Sequence, residues 1–308
     1  MERTMPLDTA NPDLPRIVLI TDDRMLKPTL FTAWTMLRRL RGNAELHFWG
    51  NALDDWHWSM VEQVASCNAN VVLRPLRLEG ADLAGAKPVG TYISEATMGR
   101  LLIPKKLTGR VLYLDGDVRV VDDLSPLFSL DMQGFPLAGV RDYVVSKRLA
   151  RGGPATDRNR ARLEEEARCM AGADASTYFN AGVLLLDASA IAADHSLCSA
   201  MQDLDRASKW TLGDQDHLNN VFAGRVRLID PAYNSSWSRT SRQRRYAEKL
   251  GLAPAELTYA PDAIIHFHGP AKPWKKAQYD FWSPRARAVF SYRRELAAFA
   301  EKFPELAF

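Results

Sequence analysis

Two aspartates two positions apart, Asp115 and Asp117, follow the apolar run Val111-Leu112-Tyr113-Leu114 in the segment YLDGDVRV. A buried strand ending in such a pair projects both carboxylates to one side, and two hard oxygen donors on one side suit a divalent cation. The glycine between them reads as room for a ligand. An EF-hand is excluded, because Arg119 stands at the fifth loop position and no glycine follows it. The second candidate is IIHFHGPAKPW, residues 264–274. Here an apolar run carries His266 to its end, alternation puts His268 on the same face, and Gly269 permits close backbone approach. Lys272 follows. An imidazole can join two carboxylates around Mn²⁺, and a lysine nearby can neutralise a phosphate as a point charge.

Those residues need elements to hold them. Short apolar runs ending at polar or turn residues alternate with stretches of helical spacing, which predicts an α/β fold with a mostly parallel sheet covered by helices. The runs are Ile17 to Ile20, Leu46 to Trp49, Val71 to Leu73, Val111 to Leu114, Leu137 to Val140 and FNAGVLLLD over Phe179–Asp187. Helices are expected around Leu30, Trp34, Leu37 and Arg41 up to Gly42, over Thr91 to Leu102, near 188 to 204, over 214 to 223, and over Ala286 to Phe303. Residues 141 to 176, with Gly152-Gly153-Pro154 and the charged stretch Arg158 to Arg168, read as a loop or insertion with a short exposed helix.

The chain has 308 residues, 46% hydrophobic and 25% charged, which excludes a disordered or collagenous protein. A net charge of +3 argues against nucleic-acid binding as the main function. Cys67, Cys169 and Cys198 show no C-x-x-C spacing, so neither a disulfide framework nor a structural zinc site is expected, and a reducing cytosol fits. The amino terminus lacks the apolar core of a signal peptide, and no run reaches the roughly 18 apolar residues of a membrane span. Charge is uneven, however: residues 239 to 308 hold 13 Lys or Arg against 7 Asp or Glu. With Val289, Phe290, Leu296, Phe299 and Phe303 placed on one side of the closing helix, that region could lie on the inner, anionic face of a membrane. Packing of the same helix on the domain is the alternative.

With FNAGVLLLD and LGDQDHLNNVF between them, the two metal-type motifs resemble those of family 8 glycosyltransferases, retaining enzymes of the GT-A fold that use nucleotide sugars. The likeness is greatest to the bacterial lipopolysaccharide galactosyl- and glucosyltransferase branch, and runs from about Arg16 to Trp274. It implies a catalytic domain over 16–274, between a flexible segment 1–15 and a basic helical extension 275–308. It further implies that Asp115, Asp117 and His266 bind Mn²⁺, or Mg²⁺, on the diphosphate of a UDP-sugar, which Gly269 and Lys272 also contact. By the same resemblance Arg100 lies near the donor. Asn180, with Ala181 beside it, Asp214 and Gln215 surround the transferred sugar, and Asp142 faces the sugar or the acceptor. Asp22 would accept a hydrogen bond from the uracil imide, although Arg24 and Met25 stand where the family usually has asparagine and tyrosine.

The implied reaction moves galactose or glucose to a glycan or lipid-linked saccharide, with Asp214 and Gln215 as catalytic candidates beside the oxocarbenium-like sugar. Front-side attack is the expected route and double displacement the alternative. An N-cap role for Asp214 is the bland reading of that residue. A nucleotidyltransferase and a degenerate, binding-only fold are the rival functions. A P-loop is excluded, since Ala86 stands where its lysine must be, and neither G-x-S-x-G nor H-E-x-x-H occurs.

Overall fold

The computed structural model describes residues 14–90, 94–153, 156–251, 256–275 and 284–307. Residues 1–13 of the expected flexible segment, and the first residues of the helix expected from Thr91, lie outside them. In chain order the strands are β1 (Arg16–Asp22), β2 (Ala44–Asn51), β3 (Val71–Leu78), β4 (Arg110–Leu114), β5 (Val118–Val120), β6 (Leu137–Arg141), β7 (Phe179–Asp187), β8 (Val226–Leu228), β9 (Ser235–Ser236) and β10 (Ile264–His266). Seven form one sheet in the order β3-β2-β1-β4-β7-β6-β8, and β5, β10 and β9 form a second. Every pairing in the large sheet is parallel except those of β7, which runs against both β4 and β6.

Both faces of the central strands of the large sheet are covered, and this is why β1, β4 and β7 read as largely apolar runs rather than as alternation. One face packs on the Leu26–Leu37 and Asp55–Ala65 helices and the small sheet. The other packs on the Glu95–Leu102 segment and the helices between 188 and 221. Burying one such Leu or Ile contributes about 1.5–3 kcal/mol, so this two-sided core fixes the sheet rigidly under whatever its carboxyl edge carries.

Four expectations change. Glu95–Leu102 is a 3-10 helix, continued by the short α-helix Ile103–Lys106, rather than one α-helix. The first helix stops at Leu37, short of Gly42. The 141–176 segment is mostly helical, with helices Tyr143–Ala150 and Asp157–Cys169 and a 3-10 turn Ala175–Thr177. Its charged helix is laced by ion pairs, Arg148 to Glu166 at 2.6 Å and Arg162 to Glu165 at 2.8 Å, which explains how so polar a sequence stays ordered. Finally, the closing helix, Pro284–Lys302, turns its aromatic side inward. Tyr292 and Phe299 lie against Phe31 with ring centroids 4.6 and 5.6 Å apart, whereas Phe290, about 100° round the helix from Val289, is 65% exposed. The apolar face expected as one stripe is therefore split, and its larger part belongs to the core. No helix of the described residues is long and apolar enough to cross a membrane.

Candidate active site

Strand pairing brings His266 to the aspartates across some 150 positions. Strand β4 belongs to the large sheet and β5 to the small one, so Asp115-Gly116-Asp117 is the crossover between them. Strand β10 runs antiparallel to β5 with His266 opposite Val118, and the Phe267 N–H donates to the Asp117 carbonyl at 3.0 Å. As a result His266 Nε2 lies 3.1 Å from Asp117 Oδ1 and 3.8 Å from Asp115 Oδ2. One ligand atom from each of the three residues falls within 4.8 Å of the others.

Two glycines shape this corner, and their roles differ from the expected one. A Cβ on Gly116 would stand 2.1 Å from Thr29 Oγ1, so the space at the glycine of the acidic tripeptide is filled by the first helix, not by a ligand. That helix also holds the crossover from beneath: Thr32 Oγ1 donates to the Val118 carbonyl at 2.6 Å, and Thr35 Oγ1 accepts from Val120 N–H at 3.2 Å. Gly182 of β7 is the glycine that makes room in the cluster. A Cβ there would lie 2.2 Å from His266 Cε1 and 2.7 Å from Asp115 Oδ2. Two hard carboxylates and one imidazole, in a cradle kept open by a missing side chain, fit a divalent cation such as Mn²⁺.

Charged neighbours close round the carboxylates. Arg100 is 4% exposed; its Nη2 lies 3.0 Å from Asp115 Oδ1, its Nε 2.6 Å from Asp214 Oδ2, and its Nη1 donates to the Ala181 carbonyl at 2.6 Å. Burial alone would lower the Arg100 pKa; Asp115 and Asp214 outweigh it and hold the guanidinium above its ordinary value. Asp214 is pushed up to about 6 by burial, against the opposing pull of Arg100. Lys272 bonds Asp117 Oδ2 and the Phe267 carbonyl, the latter at 3.2 Å. Burial would raise Asp117, yet Lys272 and His266 keep it well below the usual carboxylate range. Gly269, at φ +90°, lets the chain turn after β10 so that Lys272 folds back over it.

The residues expected around the transferred sugar are joined to one another by side-chain hydrogen bonds. Strand β7 pairs with β6 through Leu184 opposite Gly139 and then through Asn180 opposite Val140, so Ala181, Gly182 and Val183 are released from that neighbour where the site lies. Asn180 Nδ2 donates to Asp142 Oδ2 and to Gln215 Oε1, each at 3.1 Å. Ala181 takes part through its backbone, its N–H donating to Gln215 Oε1 at 3.1 Å. The other oxygen of Asp142 caps the Tyr143–Ala150 helix, accepting from Val144 N–H at 2.8 Å. Asp214 is not an N-cap: the helix Asp214–Val221 starts with it, and Gly213 precedes it at φ +55°. Asp22 stands apart at the carboxyl end of β1, its Oδ1 accepting from Met25 N–H at 3.0 Å.

Asn234 was not among the expected site residues, yet its Oδ1 lies 2.9 Å from His266 Nδ1 and its Nδ2 donates to Asn180 Oδ1 at 3.0 Å. Tyr178, Asp216 and the threonines at 29, 32 and 35 were missed likewise. Of these, only the threonines left a sequence signal, a hydroxyl at every third position of a largely apolar helix.

A family model described as glycosyl transferase family 8 matches residues 67–278. The chain belongs to this family. A putative glycosyltransferase of Haemophilus influenzae is 26% identical over 188 residues, 60% of this chain and 50% of that protein. The lipopolysaccharide 1,2-glucosyltransferase of Escherichia coli is 28% identical over 171 residues, 54% of this chain and 44% of that protein. This chain thus spans about half the length of these curated relatives. Among solved structures, the galactosyltransferase LgtC in complex with donor and acceptor sugar analogues aligns over 92% of this chain and 95% of that one. The TM-score is 0.68 at 22% identity, which establishes the GT-A architecture of this family 8 chain.

Proposed function

We propose that this protein is a retaining hexosyltransferase that moves galactose or glucose from a UDP-sugar to a hydroxyl of a glycan or lipopolysaccharide-type acceptor, with Mn²⁺ as its metal. The observation that carries this reading is the convergence of Asp115, Asp117 and His266, with Lys272 on Asp117 and the amides of Asn180 and Gln215 alongside. A divalent ion held by those three side chains would stabilise the charge that appears on the departing diphosphate. Lys272 supplies a second, fixed positive charge on the same side, and the bare backbone at Gly269 lets phosphate oxygens approach. Asp214 is committed to Arg100, and Gln215 Oε1 already accepts two N–H bonds. Asp214 is paired with the Arg100 guanidinium and Gln215 is a neutral amide, two weakened nucleophiles, which supports front-side attack by the acceptor over double displacement.

Metal-free protein supplied with Mn²⁺ and a panel of UDP-hexoses tests this. Slow UDP release with a preference for one hexose is expected, reduced at least about 100-fold by Asp117→Ala. Pyrophosphate release would favour a nucleotidyltransferase; binding without turnover would favour a degenerate fold; absence of binding to every UDP-sugar overturns the reading.

The basic carboxyl-terminal region supports a subsidiary proposal, peripheral contact with an anionic membrane. On the Thr240–Lys249 helix, Arg242, Arg245 and Lys249 are exposed along one face, without side-chain partners among the described residues. Co-sedimentation with phosphatidylglycerol vesicles is expected at 50 mM salt and lost by about 300 mM, as screening of surface charge requires. Equal sedimentation with neutral vesicles would refute it.

A further inference from the structure

A second cation, Arg239, reaches the candidate site at the other end of a line of contacts from Lys272. Lys272 bonds Asp117, and Asp117 Oδ1 lies 3.1 Å from His266 Nε2. The His266 and His268 rings are 5.3 Å apart, His268 Nε2 is 2.6 Å from Ser236 Oγ, and Arg239 Nη2 donates to that same Oγ at 2.6 Å. Arg239 Nε donates to the Ser236 carbonyl at 2.9 Å, and the guanidinium lies over the Tyr143 ring, 3.9 Å from its centroid. Tyr143 and Ser236, which hold the guanidinium, line one narrow crevice together with Asn180, Asn234 and His268. Arg239 therefore stands beside the residues expected around the sugar and the acceptor, removed from the diphosphate side by two imidazoles.

What sets Arg239 apart is the lack of a counter-charge. Arg141, which lines the same crevice, pairs with Glu256 at 2.9 Å, and Arg244, on the helix that follows Arg239, pairs with Asp230 at 2.6 Å. Arg239 is half-buried, yet no carboxylate of the described residues forms an ion pair with it. Burial lowers its pKa, and the nearby charges of Arg285 and Arg242 lower it further. Taking a charge out of water without a partner is costly, and the turn that presents it is unfavourable too. Trp237 and Ser238, the two residues before Arg239, stand at φ +51° and +56°, where a side chain crowds the backbone. Only Nε and one Nη2 hydrogen are bonded to Ser236, so the remaining donors of the planar fork have no partner among the described residues. We propose that Arg239, stacked on Tyr143, is a specificity-determining residue that binds a negatively charged substituent, a carboxylate or a phosphate, on the acceptor saccharide. Both groups offer the paired oxygens that a guanidinium fork matches. The proposal rests on reading this cluster as the sugar-transfer site, while the preference for an anion rests on the unmatched charge.

Titration of the metal-free full chain, labelled with ¹⁵N-arginine, tests this through the Arg239 Nε–H signal, identified by its loss in Arg239→Gln. The probes are methyl glucuronide and glucose 6-phosphate, with methyl glucoside as the neutral control, inorganic phosphate, and glycerol 3-phosphate as a mimic of a lipid headgroup. At least one anionic sugar is expected to shift the signal and to bind more tightly than inorganic phosphate or glycerol 3-phosphate, while methyl glucoside leaves it unmoved. Arg239→Gln should weaken binding of that sugar at least about 10-fold, as loss of a charged hydrogen bond does. A signal that answers to neither anionic sugar overturns the proposal, as does an undiminished affinity in Arg239→Gln. Inorganic phosphate bound as tightly as the sugars would mean an adventitious ion only, and a response confined to glycerol 3-phosphate would assign Arg239 to a lipid surface; either result overturns the acceptor assignment. If Arg239→Gln does not fold, Arg239→Lys supplies both the signal identification and the comparison, since it keeps the charge but not the fork. No metal or UDP-sugar is present, so a failed titration leaves the transferase reading standing, and absent UDP-sugar turnover beside a normal titration counts against that reading alone.

Discussion

Gly182→Ala is expected to abolish divalent-metal binding while the sheet stays folded. The new methyl group would stand 2.2 Å from His266 Cε1 and 2.7 Å from Asp115 Oδ2, well inside van der Waals contact. The strand backbone cannot yield. The Gly182 backbone is tied on both sides, its carbonyl accepting from Asp115 N–H at 2.8 Å and its N–H donating to Asn180 at 3.1 Å. The imidazole is pinned by Asn234 and by its place at the end of β10. His266 must leave the cluster or Asp115 must turn away, and either removes a ligand. Overpacking of this kind costs about 1–3 kcal/mol, roughly 1–5 °C in melting temperature for a chain of this size. Titration calorimetry with Mn²⁺ should show at least a 100-fold loss of affinity, and UDP release should fall to the level of Asp117→Ala. Near-normal Mn²⁺ affinity in the alanine variant would mean that the three residues do not share one ion.

Why this glycine was not singled out from the sequence is instructive. FNAGVLLLD reads correctly as a buried strand, because two-sided burial leaves apolar runs that periodicity detects. The register jump between Gly139 and Val140, which frees Ala181 to Val183 from one neighbour, leaves no such mark. Nor does the antiparallel direction of β7, since apolar residues on a strand covered on both faces look alike either way. Asp115, Asp117, His266 and Lys272 were legible because each closes an apolar run or follows one, where open α/β sheets carry their ligands. Asn234 was not. It closes the short 3-10 turn Pro231–Asn234, and its importance arises only when β9 pairs with β10 to bring it under the imidazole. The glycine of the acidic tripeptide shows the converse. Its smallness was legible, but the partner that requires it, Thr29, lies 87 positions upstream and belongs to the scaffold.

Lys272→Ala should move two measurable quantities in opposite directions. In the structure its ammonium bonds Asp117 Oδ2, an oxygen of a proposed metal ligand, and it is among the charges that hold that carboxylate ionised. Removing it takes a positive charge away from the cation's position, so Mn²⁺ alone should bind several-fold more tightly. If Lys272 also receives the charge on the departing diphosphate, kcat for UDP release should fall about 10²–10³-fold, the usual cost of losing one preorganised electrostatic contact at a developing anion. Lys272→Arg should restore charge but not activity, because a planar fork cannot take the place of a point charge bonded to both Asp117 and the Phe267 carbonyl. A purely structural lysine predicts a different pattern, with metal affinity and turnover changing little and the loss confined to thermal stability. Tighter Mn²⁺ binding joined to slower turnover separates the two, because a variant that merely loosened the site would weaken both.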